Sequence, residues 1–394
     1  MIRRIDLFMP PLGQYGVLHH FTKKLYEALM RCGVNCRLLE AERTNPRPFL
    51  MQLFNDPPDC TLSFNGLLPD NENRFFCDMI KIPHVACLVD SPNHFFPLIR
   101  SSYNIITCVD LFSCDFFKGM KHENVIFMPH GIEKNLTFDP EAARDIDLIF
   151  LASYIDYEKI ALGWKKKYPP VLAKILHEAA RISLSSPSTT YVEALVELVR
   201  VEGSDDIIQK IDYVTLLDEL EMYIRGMERV DLIKAIKCAK IDIYGADHTK
   251  AIWDHHLGKK NNVILHEPVT FENALELMKR SKIALNSCSW IKHGTHERTL
   301  AGMACGAVVL TSENPYMSEY FQEGKEILFY KGDSMKSIDG KLKELLNNED
   351  QRKAIAKNAR EEVMHAHTWD NRAAQLIKDL VPIVKRIKEA ASTS

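Results

Sequence analysis

The stretch from His293 to Thr311 constrains the fold of this chain more than any other part of it. It opens as a polar loop carrying His293, His296, Glu297 and Arg298, then turns into a short helix built from small residues, Ala301, Gly302 and Ala304. Gly306 ends that helix, as a glycine past the last turn does. Ala307-Val308-Val309-Leu310 is apolar throughout and suits a parallel strand buried on both faces. Loop, helix and buried strand in that order make one unit of an α/β sheet. Unpaired N–H groups and the positive dipole end of the helix meet polar side chains at its start, which is a seat for a phosphate. The plain alternative is one more helix–strand unit with no ligand.

The same alternation runs through most of the chain. Ile5–Met9 reads as a strand, Pro10–Gly16 as a glycine loop, and Phe21, Leu25, Ala28 and Leu29 mark one face of the helix that follows. This opens a doubly wound α/β domain. Gly13 and Gly16 lack the third glycine of a dinucleotide fingerprint, and a tight turn is the competing reading. Further strands read at 60–64, 84–89, 105–109 and 125–128. Asp90 and His130 follow two of them, on the side where open α/β sheets bind ligands; a turn residue before proline is the other reading of Asp90. Residues 157–239 are helical and nearly free of strand signals. Strands resume at Ile241–Tyr244, ending in Gly245, then at 262–266, 281–286 and 327–330, before a helical tail.

At 394 residues the chain is expected to form two domains. A net charge of −3 argues against nucleic acid or membrane as partner. No apolar run reaches the roughly 20 residues of a membrane helix, and the N-terminus reads as a strand rather than a signal peptide. The ten cysteines are scattered without metal spacing, which suits reduced thiols in the cytoplasm. His255, His256 and His266 cluster in sequence near the motif, yet no zincin-type pair with a glutamate base exists, and no metal is expected in the site. Asp145-Ile146-Asp147 precedes a strand and so lies on the wrong side of the sheet for ligands.

Leu300-Ala301-Gly302-Met303-Ala304-Cys305-Gly306 resembles the Leu-Glu-Ala-Met-Ala-x-Gly run of the donor-binding segment in GT-B glycosyltransferases. The two glutamates usual in retaining members are replaced by His293 and Ala301, eight positions apart. His296-Glu297-Arg298 is similar to the His-x-Arg signature of spore-maturation and motility-associated members. Val89-Asp90-Ser91-Pro92 and His367-Thr368-Trp369-Asp370-Asn371-Arg372 resemble that group too, and Pro129-His130-Gly131 resembles the end of a GT-B first domain. The likeness is patchy over 1–150, nearly continuous over 241–372, and absent over most of 157–239.

The resemblance implies two Rossmann-like domains facing a cleft: an acceptor domain at 1–142, a donor domain at 143–372 with a helical insertion near 157–239, and a helix at 373–394 crossing back. It implies metal-independent transfer of a sugar from a UDP- or GDP-sugar to a hydroxyl of a protein, glycan or small molecule, with no permanently bound cofactor. Asp90 or His130 is the expected base. Gly13, Tyr244, Gly245, Asn286, His293, His296, Glu297, Arg298 and Thr299 are the expected donor contacts, with Arg298 on the diphosphate. A sugar-nucleotide epimerase of the same fold and a catalytically silent scaffold are the alternatives; the missing glutamates motivate the second.

Overall fold

A computed structural model of the chain describes residues 2–13, 15–40, 45–202, 212–245, 250–258 and 260–393. Gln14 of the glycine loop and residues 203–211 of the helical stretch lie outside them. The chain forms two compact units, Met1–Asn135 with Met364–Ser394, and Leu136–Val363.

In chain order the first unit contains β1 (Arg4–Phe8), α1 (Val17–Arg31), β2 (Asn35–Leu39), α2 (Arg47–Asn55), β3 (Cys60–Phe64), α3 (Phe76–Ile80), β4 (His84–Leu88), a 3-10 helix (Pro92–Arg100), β5 (Asn104–Cys108), α4 (Leu111–Gly119) and β6 (Val125–Phe127). The strands form one six-stranded sheet, ordered β2-β1-β3-β4-β5-β6, and all pairs are parallel. Every residue of β3, β4 and β5 is buried, as strands covered on both faces must be.

The second unit contains β7 (Ile146–Leu151), then α5 (Tyr157–Lys167), α6 (Pro170–Ser185), α7 (Tyr191–Glu202) and α8 (Tyr213–Ala235). It continues with β8 (Ile241–Tyr244), α9 (Lys250–Leu257), β9 (Val263–His266), α10 (Phe271–Lys279), β10 (Ser281–Leu285), α11 (Glu297–Ala304) and β11 (Val308–Ser312). α12 (Pro315–Tyr320), β12 (Leu328–Tyr330), α13 (Ile338–Asn347) and α14 (Glu349–Ala366) complete it. Its sheet is also six-stranded and parallel, ordered β12-β11-β10-β7-β8-β9. α8 lays Val230, Leu232 and Ile233 onto the sheet residues Leu148, Phe150, Ile241 and Leu310, so the helical stretch between β7 and β8 is rooted in the unit's core.

The last helix, α15 (Trp369–Thr393), packs along α1 in the first unit. Trp369 is buried against Phe21 and Phe64, with ring centroids 5.3 and 6.0 Å away. Gly131 is required there, since a Cβ would stand 2.9 Å from the Trp369 amide nitrogen. Arg372 donates to the His130 carbonyl (3.1 Å) and contacts His367 Nδ1 (2.9 Å). The 367–372 motif is therefore a clasp that closes the chain's end onto the first unit.

Candidate active site

Each sheet reverses its strand order once, and open α/β sheets bind ligands at that reversal, beyond the carboxyl ends of the strands. In the second unit the reversal lies between β7 and β10. α11 begins there. Gly302 lets it lie close on the sheet: a Cβ would meet Val309 Cγ2 at 2.9 Å and Ala284 Cβ at 3.1 Å. The helix ends at Gly306, whose φ of 73° is the left-handed value the sequence called for.

Arg298 stands in the first turn of α11. Its Nη1 donates to the carbonyl of Leu151 at the end of β7, and Nη2 contacts His296 Nε2 at 2.7 Å. His296 caps the helix by accepting from the Arg298 amide, and its Nδ1 lies 2.6 Å from the Glu297 carboxylate. Asn286, one residue beyond β10, donates to Thr299 Oγ1 (2.9 Å) and Thr311 Oγ1 (3.1 Å). His296, Glu297, Arg298, Thr299 and Asn286 are thus brought together. Asn286 Oδ1, Ser287 Oγ and Ser289 Oγ of the loop after β10 are buried without a hydrogen-bond partner among the described residues. Three such atoms in one loop call for an occupant, because buried polar groups are normally paired.

Tyr244 and Gly245 end β8, the next strand out from β7. Gly245 has φ 124°, and a Cβ would stand 2.9 Å from the Ala152 carbonyl oxygen, so the two strand-end loops touch through it. Tyr244 is stacked on His266 at 4.3 Å. His293 points elsewhere: its Nε2 meets the Ser188 carbonyl at 3.1 Å. Ala301, at the second glutamate position of the resemblance, is wholly buried. Asp145 and Asp147 sit at the opposite end of β7, paired with Arg280 and Lys282.

The helical stretch grips this site, which sequence reasoning missed. Glu228 of α8 is buried and accepts from the Ser289 amide (3.1 Å) and the Tyr330 hydroxyl (2.8 Å). Arg229 donates to the Ser153 carbonyl (2.6 Å), and Arg225 lies 4.9 Å over the Trp290 ring. Lys292 is buried with its ammonium on the Ser183 and Ser186 carbonyls at the end of α6 (2.7 and 2.8 Å). Burial pushes its pKa down to about 8, against the pull of Glu228. Burial, then Glu228, raises that of Tyr330, which keeps its phenol a donor. A cavity of about 750 Å³ opens beyond Glu228 and Lys292, toward the ends of β11 and β12 and away from the reversal.

In the first unit the reversal falls between β1 and β3. Gly16 precedes α1 with φ 64°, and its amide bonds to the Gly13 carbonyl (3.1 Å). Asn65 follows β3; it donates to the Asp90 carboxylate (2.7 Å) and accepts from the Val89 amide (3.1 Å). Asp90 is exposed at the end of β4. Two strand spacings separate β1 from β4, so the glycine loop is roughly 10 Å away. His130 is buried, its ring 5.6 Å from Phe21. The first turn of α1 also carries His20, whose Nε2 contacts the Glu133 carboxylate with both side chains largely buried. No spacing in the sequence signals that pair.

Two parallel six-stranded sheets in one chain, each with a polar strand-order reversal, define the GT-B fold, and solved GT-B structures match it. Residues 225–378 match the family described as glycosyl transferase-like. The chain is similar to Alr3699/HepE from Anabaena, solved in complex with UDP-glucose: 11% identity, 99% of this chain and 100% of that chain covered, TM-score 0.53. It is similar to sucrose-phosphate synthase from Thermosynechococcus elongatus (10%, 99% and 100%, TM-score 0.55). It is also similar to AviGT4, a glycosyltransferase involved in avilamycin A biosynthesis (11%, 97% and 98%, TM-score 0.54). No curated protein sequence matches the chain. Among the described residues no helix is long and apolar enough to cross a membrane.

Proposed function

We propose that the chain is a glycosyltransferase moving a sugar from a nucleotide-diphosphate sugar to a hydroxyl acceptor. The observation that carries this is the β7/β10 reversal, where Arg298 and the start of α11 follow a β10 loop that holds three buried, unpartnered polar atoms. UDP is the preferred donor nucleotide, supported by the UDP-glucose complex of the similar Anabaena protein; GDP is the alternative. The second unit, Leu136–Val363, serves as the donor domain, and the first, Met1–Asn135 with Met364–Ser394, as the acceptor domain that carries the returning helix. The His296-x-Arg298 signature supports a place beside the spore-maturation and motility-associated enzymes.

In the reaction the bond from the anomeric carbon to the diphosphate oxygen breaks as the bond to the acceptor oxygen forms. The diphosphate leaves with added negative charge. Arg298 and the helix dipole of α11 stabilise it, so no metal is needed for the transfer step. Asn286, Ser287, Ser289, His296 and Thr299 supply hydrogen bonds to the donor, and Tyr244 and Gly245 line the neighbouring strand end. His293 acts through the loop it ties to Ser188 rather than on the donor. Asp90 takes the acceptor proton: it is exposed, and Asn65 fixes one carboxylate oxygen. His130, packed against Phe21, is the second choice. Ten unpaired cysteines, nine of them buried or half-buried, support a reducing, cytoplasmic setting.

Incubation with UDP- and GDP-sugars tests the reading. Slow donor hydrolysis, or transfer to a hydroxyl acceptor, is expected, and it should persist in a chelator. Clean isomerisation of the donor would favour an epimerase, and no turnover of any donor would leave a binding scaffold. Activity lost in chelator and restored by manganese would end the metal-free mechanism.

A further inference from the structure

Three potential metal ligands converge from two helices that follow the adjacent strands β7 and β8. Glu158 stands in the first turn of α5, after β7; His255 and His256 stand in the last turn of α9, after β8. One atom from each lies within 4.8 Å of the others. His256 Nδ1 is 3.6 Å from Glu158 Oε1, and His255 Nε2 is 3.9 Å from Glu158 Oε2. Both separations are too long for hydrogen bonds, which run to about 3.2 Å. They reach different carboxylate oxygens and run a few tenths of an ångström beyond the edge of a coordination tetrahedron, roughly 3.3–3.5 Å for metal–ligand bonds near 2.0–2.1 Å, so small side-chain shifts would close the shell.

The state of His256 points the same way. Its imidazole is buried between the rings of Tyr154 and Tyr157, with centroids 5.3 and 5.2 Å away. Its Nε2 has no hydrogen-bond partner among the described residues, and Nδ1 is too far from Glu158 for one. Nδ1 is the atom turned toward Glu158, so the ring held by Tyr154 and Tyr157 presents a ligand atom to the cluster.

We propose that Glu158, His255 and His256 form a binding site for a zinc-class divalent cation, with water as the fourth ligand. Two imidazoles and one carboxylate suit zinc, nickel or copper better than magnesium or calcium, which favour all-oxygen shells. Glu158 and His255 are exposed, so the ion has an entry path. The bound ion ties the start of the helical stretch to α9 and takes no part in sugar transfer. The inference is independent of the donor reading.

The test is calorimetric titration of the metal-stripped full-length chain with zinc chloride, with cobalt(II) absorption as a second readout. One ion per chain is expected, and the cobalt spectrum should be that of a tetrahedral nitrogen–oxygen site. His255→Ala and Glu158→Gln, both at exposed positions, should each weaken zinc binding by ~10-fold or more, since even outer-shell losses cost that much. Circular dichroism checks that both variants keep the parent fold. Absence of zinc binding, or binding undiminished in either variant, as a thiol site elsewhere would give, overturns the proposal.

Discussion

Glu228→Ala should destabilise the second unit more than any other single deletion in the helical stretch. The carboxylate is about 1% exposed and serves two donors from different strands' ends, the Ser289 amide and the Tyr330 hydroxyl. It also opposes the burial of the Lys292 ammonium. Removing it leaves the Ser289 amide buried without an acceptor and the Tyr330 hydroxyl with only the Asn286 carbonyl, 3.1 Å away. Hydrogen bonds to a charged group contribute about 1.5–3 kcal/mol each, so the loss is roughly 3–6 kcal/mol. That is a large share of a typical stability of about 5–15 kcal/mol. For a unit of this size it corresponds to a fall in Tm of about 6–24 °C. Glu228→Gln keeps the shape and one good acceptor and should lose less than half as much. Urea unfolding followed by tryptophan fluorescence measures both; Trp290 reports on the loop directly. An alanine variant within ~0.5 kcal/mol of the parent would refute the idea that α8 holds the β10 loop through this carboxylate.

Gly302→Val should cost several kcal/mol, on the order of overpacking losses, because its Cβ alone would meet Val309 Cγ2 at 2.9 Å; a soluble variant with parental Tm would contradict the close seating of α11. Acid should destabilise the first unit. His84 and His367 are held near pKa 3, His84 by burial and His367 by burial and then Arg372. Their native-state pKa values lie below the unfolded value of about 6.5, so as pH falls from there toward 3 the unfolded chain takes up protons that the folded one refuses, and stability drops. Denaturant titrations at pH 7 and pH 5 check this, and equal midpoints would contradict it. Asp90→Asn should lower turnover ~100-fold or more with nucleotide binding intact. Full activity would pass the base role to His130, and unfolding would mark Asp90 as a turn residue.

Much of the fold was legible because parallel strands buried on both faces read as apolar runs, as at 84–88 and 308–311, and glycine marks the stop of α11 at Gly306. Elements with weak periodicity went unread. Among them are α2, with only Leu53 buried, and the 3-10 helix at Pro92–Arg100, whose internal Pro97 argues for a loop. The helical character of 157–239 was readable, but its purpose was not. Glu228 reaches Ser289, and Lys292 reaches Ser183, only through tertiary packing, and no spacing rule encodes that. His130 shows the converse. Its strand-end position was legible, but its packing against Phe21 was not. The His-Thr-Trp motif near the C-terminus likewise proves to be a clasp for the last helix.

The central claim is that the β7/β10 reversal binds a nucleotide diphosphate through Arg298. Calorimetric titration of UDP, with GDP in parallel, into the parent chain and into Arg298→Ala tests it most directly, with Arg298→Lys as the charge-preserving control. The account predicts one site per chain in the parent, a loss of ~10-fold or more in the alanine variant from charge-assisted bonds of roughly 1.5–3 kcal/mol, and partial recovery with lysine, which keeps the charge but not the planar fork. Equal affinity in parent and alanine variant, or no binding of either nucleotide to the parent, would contradict it.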